Sequence, residues 1–144
     1  IINDRVDICL AVDADGVHVG SEDLPVSVVR KIIGQQKIIG ATAHSVEEAI
    51  DAEKNSADYV AVSPIYFTGT KPDARLPVGI RVLSDVKRVV SVPVVAIGGI
   101  TIENAPDIIK AGADAVCAIS AVLCAENISA EIEKFQKLFK SNVY

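Results

Sequence analysis

The chain has 144 residues, half of them hydrophobic, and a formal net charge of -5. This length can bury a real core. The acidic balance without a basic cluster excludes nucleic acid and an anionic membrane surface as partners, and no stretch resembles a transmembrane span or a secretory signal. Cys9, Cys117 and Cys124 are odd in number and lack metal-type spacing, so reduced thiols in a cytoplasmic protein are expected. The sequence contains no methionine and begins Ile1-Ile2, which raises the expectation that an N-terminal segment is missing.

In chain order, apolar strands rich in β-branched residues alternate with amphipathic helical stretches. Strands are expected at Gly16–Gly20, Lys37–Thr42, Asp58–Ser63, Val92–Ile97 and Asp114–Ser120, with the tail of a further one at the start of the chain. Three are introduced by one small sequence: Ala14-Asp-Gly-Val17, Ala57-Asp-Tyr-Val60 and Ala113-Asp-Ala-Val116. This is an internal repeat at a helix-to-strand junction, where Asp is suited to take the turn's backbone hydrogen bonds. A helix over Val26–Ile33 is closed by Gly34, and Ser45-Val-Glu-Glu48 is a capping box for a helix running to about Lys54. Asn104, with Pro106 behind it, suits the cap and first turn of a helix closed by Gly112. A polar break at Glu126-Asn127 leads into a final helix ending near Phe139. No linker or low-complexity tract divides residues 1–144, so they read as one domain.

Alternating units of this kind predict an α/β fold with a parallel sheet, either doubly wound or closed as a barrel. In both, chemistry sits where strands end and helices have not begun. Those ends gather Asn3-Asp4, Ser21-Glu-Asp23, Thr42-Ala-His44, Ser63 through Lys71, Gly98-Gly99 and Ile119-Ser120. The run Val92–Ile100 organises the rest. Its strand ends in two glycines ahead of a helix start, which suits a phosphate cradle as well as a plain tight turn.

Each polar candidate has an ordinary reading beside the chemical one. Asp23 precedes Leu24-Pro25 and suits a helix N-cap, and Asp4 suits a surface charge. Two carboxylates at strand ends near a phosphate site also suit Mg²⁺, which takes one or two carboxylates plus substrate oxygens. His44 fits a helix start and His18 fits packing within its strand, so neither is adopted as a catalyst. In Tyr66-Phe-Thr-Gly-Thr-Lys71, Thr68, Thr70 and Lys71 can converge on one phosphate, or form an ordinary loop rich in turn residues.

Together, Ile2-Asn-Asp-Arg5, Ala14-Asp-Gly-Val-His-Val-Gly20 with Glu22-Asp23, Ile39-Gly-Ala-Thr-Ala-His-Ser45, Asp58-Tyr-Val60 through Thr68-Gly-Thr-Lys71, Val95-Ala-Ile-Gly-Gly-Ile100, and Ala111-Gly-Ala-Asp114 with Ile119-Ser120 carry a resemblance. The chain resembles thiamine phosphate synthase from end to end and in the family's order. The resemblance implies a (βα)8 barrel of the TIM type, with the C-terminal five-plus βα units present and the N-terminal strands absent.

It also implies a transferase of thiamine biosynthesis. An aminopyrimidine methyl diphosphate loses pyrophosphate, by way of a pyrimidine methyl cation, and a hydroxyethylthiazole phosphate takes its place. Carried over by motif, Asp4 and Asp23 hold Mg²⁺, and Asn3 and Lys71 meet the diphosphate. Thr42, where relatives tend to have Ser, stands at the reacting centre with Lys71. Thr68, Thr70, Gly99, Ile119 and Ser120 receive the thiazole phosphate. The partners are these small molecules, and nothing in the chain excludes a homo-oligomer.

The pattern has departures: Ser21 replaces a frequent Gln, Ser63 a usual Gly and Phe67 a usual Pro. A barrel of this type typically takes about 200–250 residues, so the chain on its own is expected to be poorly active or inactive. Two other readings stand beside the synthase. A related thiazole tautomerase shares the barrel but tends to carry His at the place of Pro64 and to lack the carboxylates. A fragment that binds phosphate without catalysis is the other.

Overall fold

The computed structural model describes residues 1–70 and 75–140. Strands β1 (Ile2–Asn3), β2 (Gly16–Val19), β3 (Ile38–Ala43), β4 (Tyr59–Val62), β5 (Val94–Ile97) and β6 (Ala115–Cys117) alternate with helices. These are α1 (Val6–Ala11), α2 (Val26–Ile33), α3 (Val46–Lys54), α4 (Gly79–Val89) and α5 (Ala105–Lys110), with α6 (Ser120–Leu123) and α7 (Ile128–Lys140) after the last strand. All the strand pairs are parallel, and their spatial order follows the sequence from β1 to β6. A doubly wound sheet reverses its strand order at a switch point, and this one does not. The fold is an incomplete (βα) barrel, in which β1 pairs only with β2 and β6 only with β5 among the described residues.

The period of two along each strand divides the sheet into two faces. Val17 and Val19, Ile39, Ala41 and Ala43, Val60 and Val62, and Val94 and Ala96 are buried in two clusters that run under the helices. The other face carries His18, Gly40, Thr42, Tyr59 and Ile97, so this face holds the polar side chains. Arg30 is the buried charged residue of the core, 7% exposed. Its guanidinium donates to the carbonyls of Gly34, Lys37 and Ser56 and to Asp58 Oδ2.

The Ala-Asp repeat has a specific structural cause. Asp58 Oδ2 accepts from Ile39 N–H at 2.7 Å, and Asp114 Oδ2 accepts from Val94 N–H at 2.7 Å. Each carboxylate therefore ties its turn to the start of the preceding strand, whereas the sequence suggested that it would serve its own turn.

Helix α2 has the expected bounds and ends at Gly34, whose φ is 77°. Ser45 caps α3 by accepting from Glu48 N–H at 3.2 Å. The returning Glu48 carboxylate accepts from His44 N–H at 2.7 Å, one residue before the cap, so the expected box is shifted by one. Four strands are shorter than expected, β2 and β4 by one or two residues at their ends. β5 starts at Val94, after Pro93, and β6 stops at Cys117, so Ser120 opens α6 instead of ending a strand.

Candidate functional site

The C-terminal ends of the strands enclose a cleft of about 720 Å³. Asn3 and Asp4 reach it from the end of β1, and Gly20 to Asp23 from the end of β2. Thr42 and His44 enter from β3, Ser63, Pro64, Thr68 and Thr70 from the segment after β4, and Gly98 and Gly99 from the end of β5. Ile119 and Ser120 close the far side at the start of α6. Every expected site residue that the structure describes lies on this one cleft. Lys71 falls outside the described residues.

Asp4 sits in the left-handed region, with φ 61°, and its N–H donates to the His18 carbonyl at 2.8 Å. That conformation is uncommon for a residue with a side chain and recurs at functional sites. Asp23 is not the helix cap that Leu24-Pro25 suggested, because Pro25 holds that position. Instead Asp23 Oδ2 accepts from Gly20 N–H at 2.8 Å, and Asp23 N–H donates to Gly20 O at 3.2 Å. This tight turn fixes the carboxylate at the strand end. Among the described residues no group of three or more His, Cys, Asp or Glu is placed to share a metal ion. Asp4 and Asp23 both line the cleft, at the ends of β1 and β2, and carboxylates are the ligand type that Mg²⁺ takes together with substrate oxygens.

His18 is more than strand packing. Its Nε2 lies 2.9 Å from Thr42 Oγ1 and its Nδ1 2.9 Å from the Tyr59 hydroxyl, and the ring stacks on Tyr59 with centroids 5.5 Å apart. Burial pushes the imidazole below its ordinary pKa, against the pull of the Asp23 carboxylate. Burial also raises the Tyr59 phenol. His44 turns its ring to the cleft while Nδ1 meets the Ser63 carbonyl at 2.5 Å. A carbonyl can only accept, so His44 carries a proton on Nδ1.

The glycine pair lines the cleft and also serves the packing of the chain itself. Gly98 and Gly99 have φ values of 99° and 63°, and the close approach they permit is by another part of the same chain. A Cβ on Gly98 would lie 2.5 Å from Pro64 Cβ, and one on Gly99 would strike the Phe67 carbonyl and lie 2.8 Å from Tyr66 Cβ. Ile65 N–H donates to Ile97 O at 2.8 Å and Tyr66 N–H to Gly98 O at 3.1 Å. The glycines thus hold the threonine loop against the end of β5. Asn104 reinforces this arrangement rather than capping α5 by its side chain. It accepts from Thr101 N–H and donates to Gly99 O, both at 2.9 Å. Thr70 N–H donates to Thr68 Oγ1 at 3.2 Å, so both hydroxyls belong to one turn on the rim.

Arg75 and Cys117 line the cleft without having been anticipated. Arg75 donates to Ser21 Oγ at 3.1 Å and pairs with Glu22 at 3.6 Å and Glu48 at 3.8 Å. The resulting bridge links the turn after β2 to helix α3. Arg75 stands in a stretch with no periodicity, where its partners are visible only once the fold brings them together. Partial desolvation raises the Cys117 thiol above its ordinary range.

The family model described as "Thiamine monophosphate synthase" matches residues 1–122. A thiamine-phosphate synthase of Chloroflexus aurantiacus is 49% identical over 138 residues, covering 96% of this chain and 63% of the relative. One of Methanosarcina mazei is 48% identical over 135 residues, covering 94% of this chain and 56% of the relative. A solved thiamine phosphate pyrophosphorylase from Pyrococcus furiosus superposes with a TM-score of 0.89 at 42% identity, covering 99% of this chain and 67% of that structure. The chain therefore spans less than two thirds of the length of these first two relatives.

Proposed function

The chain belongs to the thiamine monophosphate synthase family, and from that premise we propose that the protein joins the pyrimidine methyl diphosphate to the thiazole phosphate with release of pyrophosphate. The observation that carries this reading is the convergence of its motif residues on one cleft.

The cleft divides by chemistry. On the rim formed by β1 and β2, Asn3, Asp4 and Asp23 would face the diphosphate. Lys71 would add its charge from the threonine loop. When bound between Asp4 and Asp23, Mg²⁺ would neutralise charge on the departing pyrophosphate. On the opposite side Thr68, Thr70, Gly99, Ile119 and Ser120 would hold the thiazole phosphate, with hydroxyl and backbone donors and no acidic residue among them. Thr42 lies between the two groups on the floor of the cleft. The chain's own contribution is to hold the two anionic groups so that the thiazole nitrogen faces the pyrimidine methylene carbon, and to keep water from a pyrimidine cation. Pro64, Asp4 and Asp23 favour the synthase over the tautomerase.

The test is product analysis with both substrates, with and without Mg²⁺, on the chain extended at its N-terminus to the length of its relatives. The synthase reading expects thiamine phosphate and pyrophosphate in equal amounts, both dependent on the metal. Isomerised thiazole phosphate without pyrophosphate would give the site to a tautomerase, and bound ligand without either product would leave phosphate binding alone.

A further inference from the structure

His18, Gly40 and Tyr59 are register partners on three adjacent strands, His18 opposite Gly40 and Gly40 opposite Tyr59. On the face turned to the cleft, side chains two strands apart normally meet only across the residue between them. Here that residue has no side chain. A Cβ on Gly40 would collide with the Tyr59 hydroxyl and Cζ and lie 2.5 Å from His18 Nδ1. The glycine therefore lets the two rings join over the middle strand. Thr42 stands two residues further along the same face and receives the other end of the imidazole.

We propose that Tyr59 and His18 form a relay that fixes the Thr42 hydroxyl as a hydrogen-bond donor to an acceptor atom of the bound pyrimidine diphosphate. The ligand assignment rests on the function proposed above, whereas the relay itself rests on the geometry. A neutral imidazole has one donor and one acceptor nitrogen, so its two hydroxyl neighbours must play opposite parts. The phenol is the more acidic hydroxyl and the stronger donor. The hydroxyl of half-buried Tyr59 lies 2.9 Å from His18 Nδ1, and either atom could be the donor, while Thr42 lines the cleft and can donate to a ligand. Tyr59 O–H thus donates to Nδ1, and Nε2–H donates to Thr42 Oγ1. The Thr42 oxygen is then occupied as an acceptor and its hydrogen is left for the ligand. His18 and Tyr59 act here as positioning residues, through Thr42.

Long-range proton–nitrogen NMR on the 144-residue chain at neutral pH reads this directly, since the two histidines provide opposite expectations. His18 should carry its proton on Nε2 and His44 on Nδ1. A proton on Nδ1 of His18 in the native chain would overturn the relay, whatever any variant does. Tyr59→Phe should make the His18 tautomers mix and weaken pyrimidine diphosphate binding about tenfold, the worth of about one hydrogen bond, with thiazole phosphate binding unchanged. Equal weakening of both ligands would overturn the positioning role. Failure of the extended protein to form thiamine phosphate would remove the synthase reading and leave the tautomer result standing. The wrong tautomer in a chain that makes product would remove the relay alone.

Discussion

Asp58 and Ile39 exchange two hydrogen bonds across adjacent strands: Ile39 N–H donates to the Asp58 carboxylate at 2.7 Å, and Asp58 N–H donates to the Ile39 carbonyl at 2.7 Å. Asp114 and Val94 repeat the exchange two strands later, at 2.7 and 2.8 Å. The two copies differ in the cation behind them. Asp58 meets the buried Arg30 at 2.6 Å, whereas Asp114 meets the more exposed Lys87 at 2.6 Å. Asp58→Ala should therefore cost about 2 kcal/mol through the orphaned N–H and guanidinium, and Asp114→Ala about 1 kcal/mol. Denaturant midpoints of the two variants check the order.

Glycines of this chain should differ sharply in tolerance. Gly98→Ala forces a side chain into a positive φ and against Pro64, at an expected cost of about 1–3 kcal/mol. Gly69, with nothing within 4 Å of an added Cβ and no positive φ, should accept Ala with little change. Thermal unfolding of the two variants would show the contrast, and an equal effect would refute the account of the β5 loop.

Asn104→Ala removes both bonds that pin the Gly99–Thr101 turn. The expected loss is about 1 kcal/mol of stability together with weaker thiazole phosphate binding. Asn104→Asp keeps the acceptor for Thr101 N–H but loses the donor to Gly99, and should fall between the two. Ligand titration of the three proteins orders them.

The Arg5 guanidinium, hydrogen-bonded to Asp7, holds that carboxyl down to about 2. Its folded value lies below its unfolded one. The associated stability is therefore present above the ordinary Asp range near 3.8 and is lost as pH falls through about 2. Both side chains are exposed, so added salt should shift the titration upward. A carboxyl-carbon NMR titration of Asp7 should show the low midpoint, and Arg5→Gln should restore an ordinary one.

Strand positions were legible because apolar β-branched runs stand between turn residues, and α2 was legible to the residue because Gly34 ends it. Strand ends were less so. Ala118 and Ile119 continue the apolar pattern of β6, yet the chain leaves the sheet after Cys117 and turns into α6 at Ser120. Helices α1 and α4 have neither a side-chain cap at the start nor a glycine at the C-cap, whereas α2, also without a side-chain cap, is marked by Gly34. In the cleft, residues identified by their place at strand ends could be found from sequence. Tyr59 and Gly40 could not, because their importance comes from cross-strand register with His18. Arg75 could not because its partners lie 54 residues away in Ser21 and in helix α3.

The most direct test of the two-sided cleft is calorimetric titration of the chain with thiazole phosphate, repeated for Ser120→Ala and Asp23→Ala. The account predicts saturable binding that Ser120→Ala weakens about tenfold, the worth of about one hydrogen bond, and that Asp23→Ala leaves nearly unchanged. No binding, or equal loss in both variants, would contradict the division of the cleft into a phosphate side and a metal side.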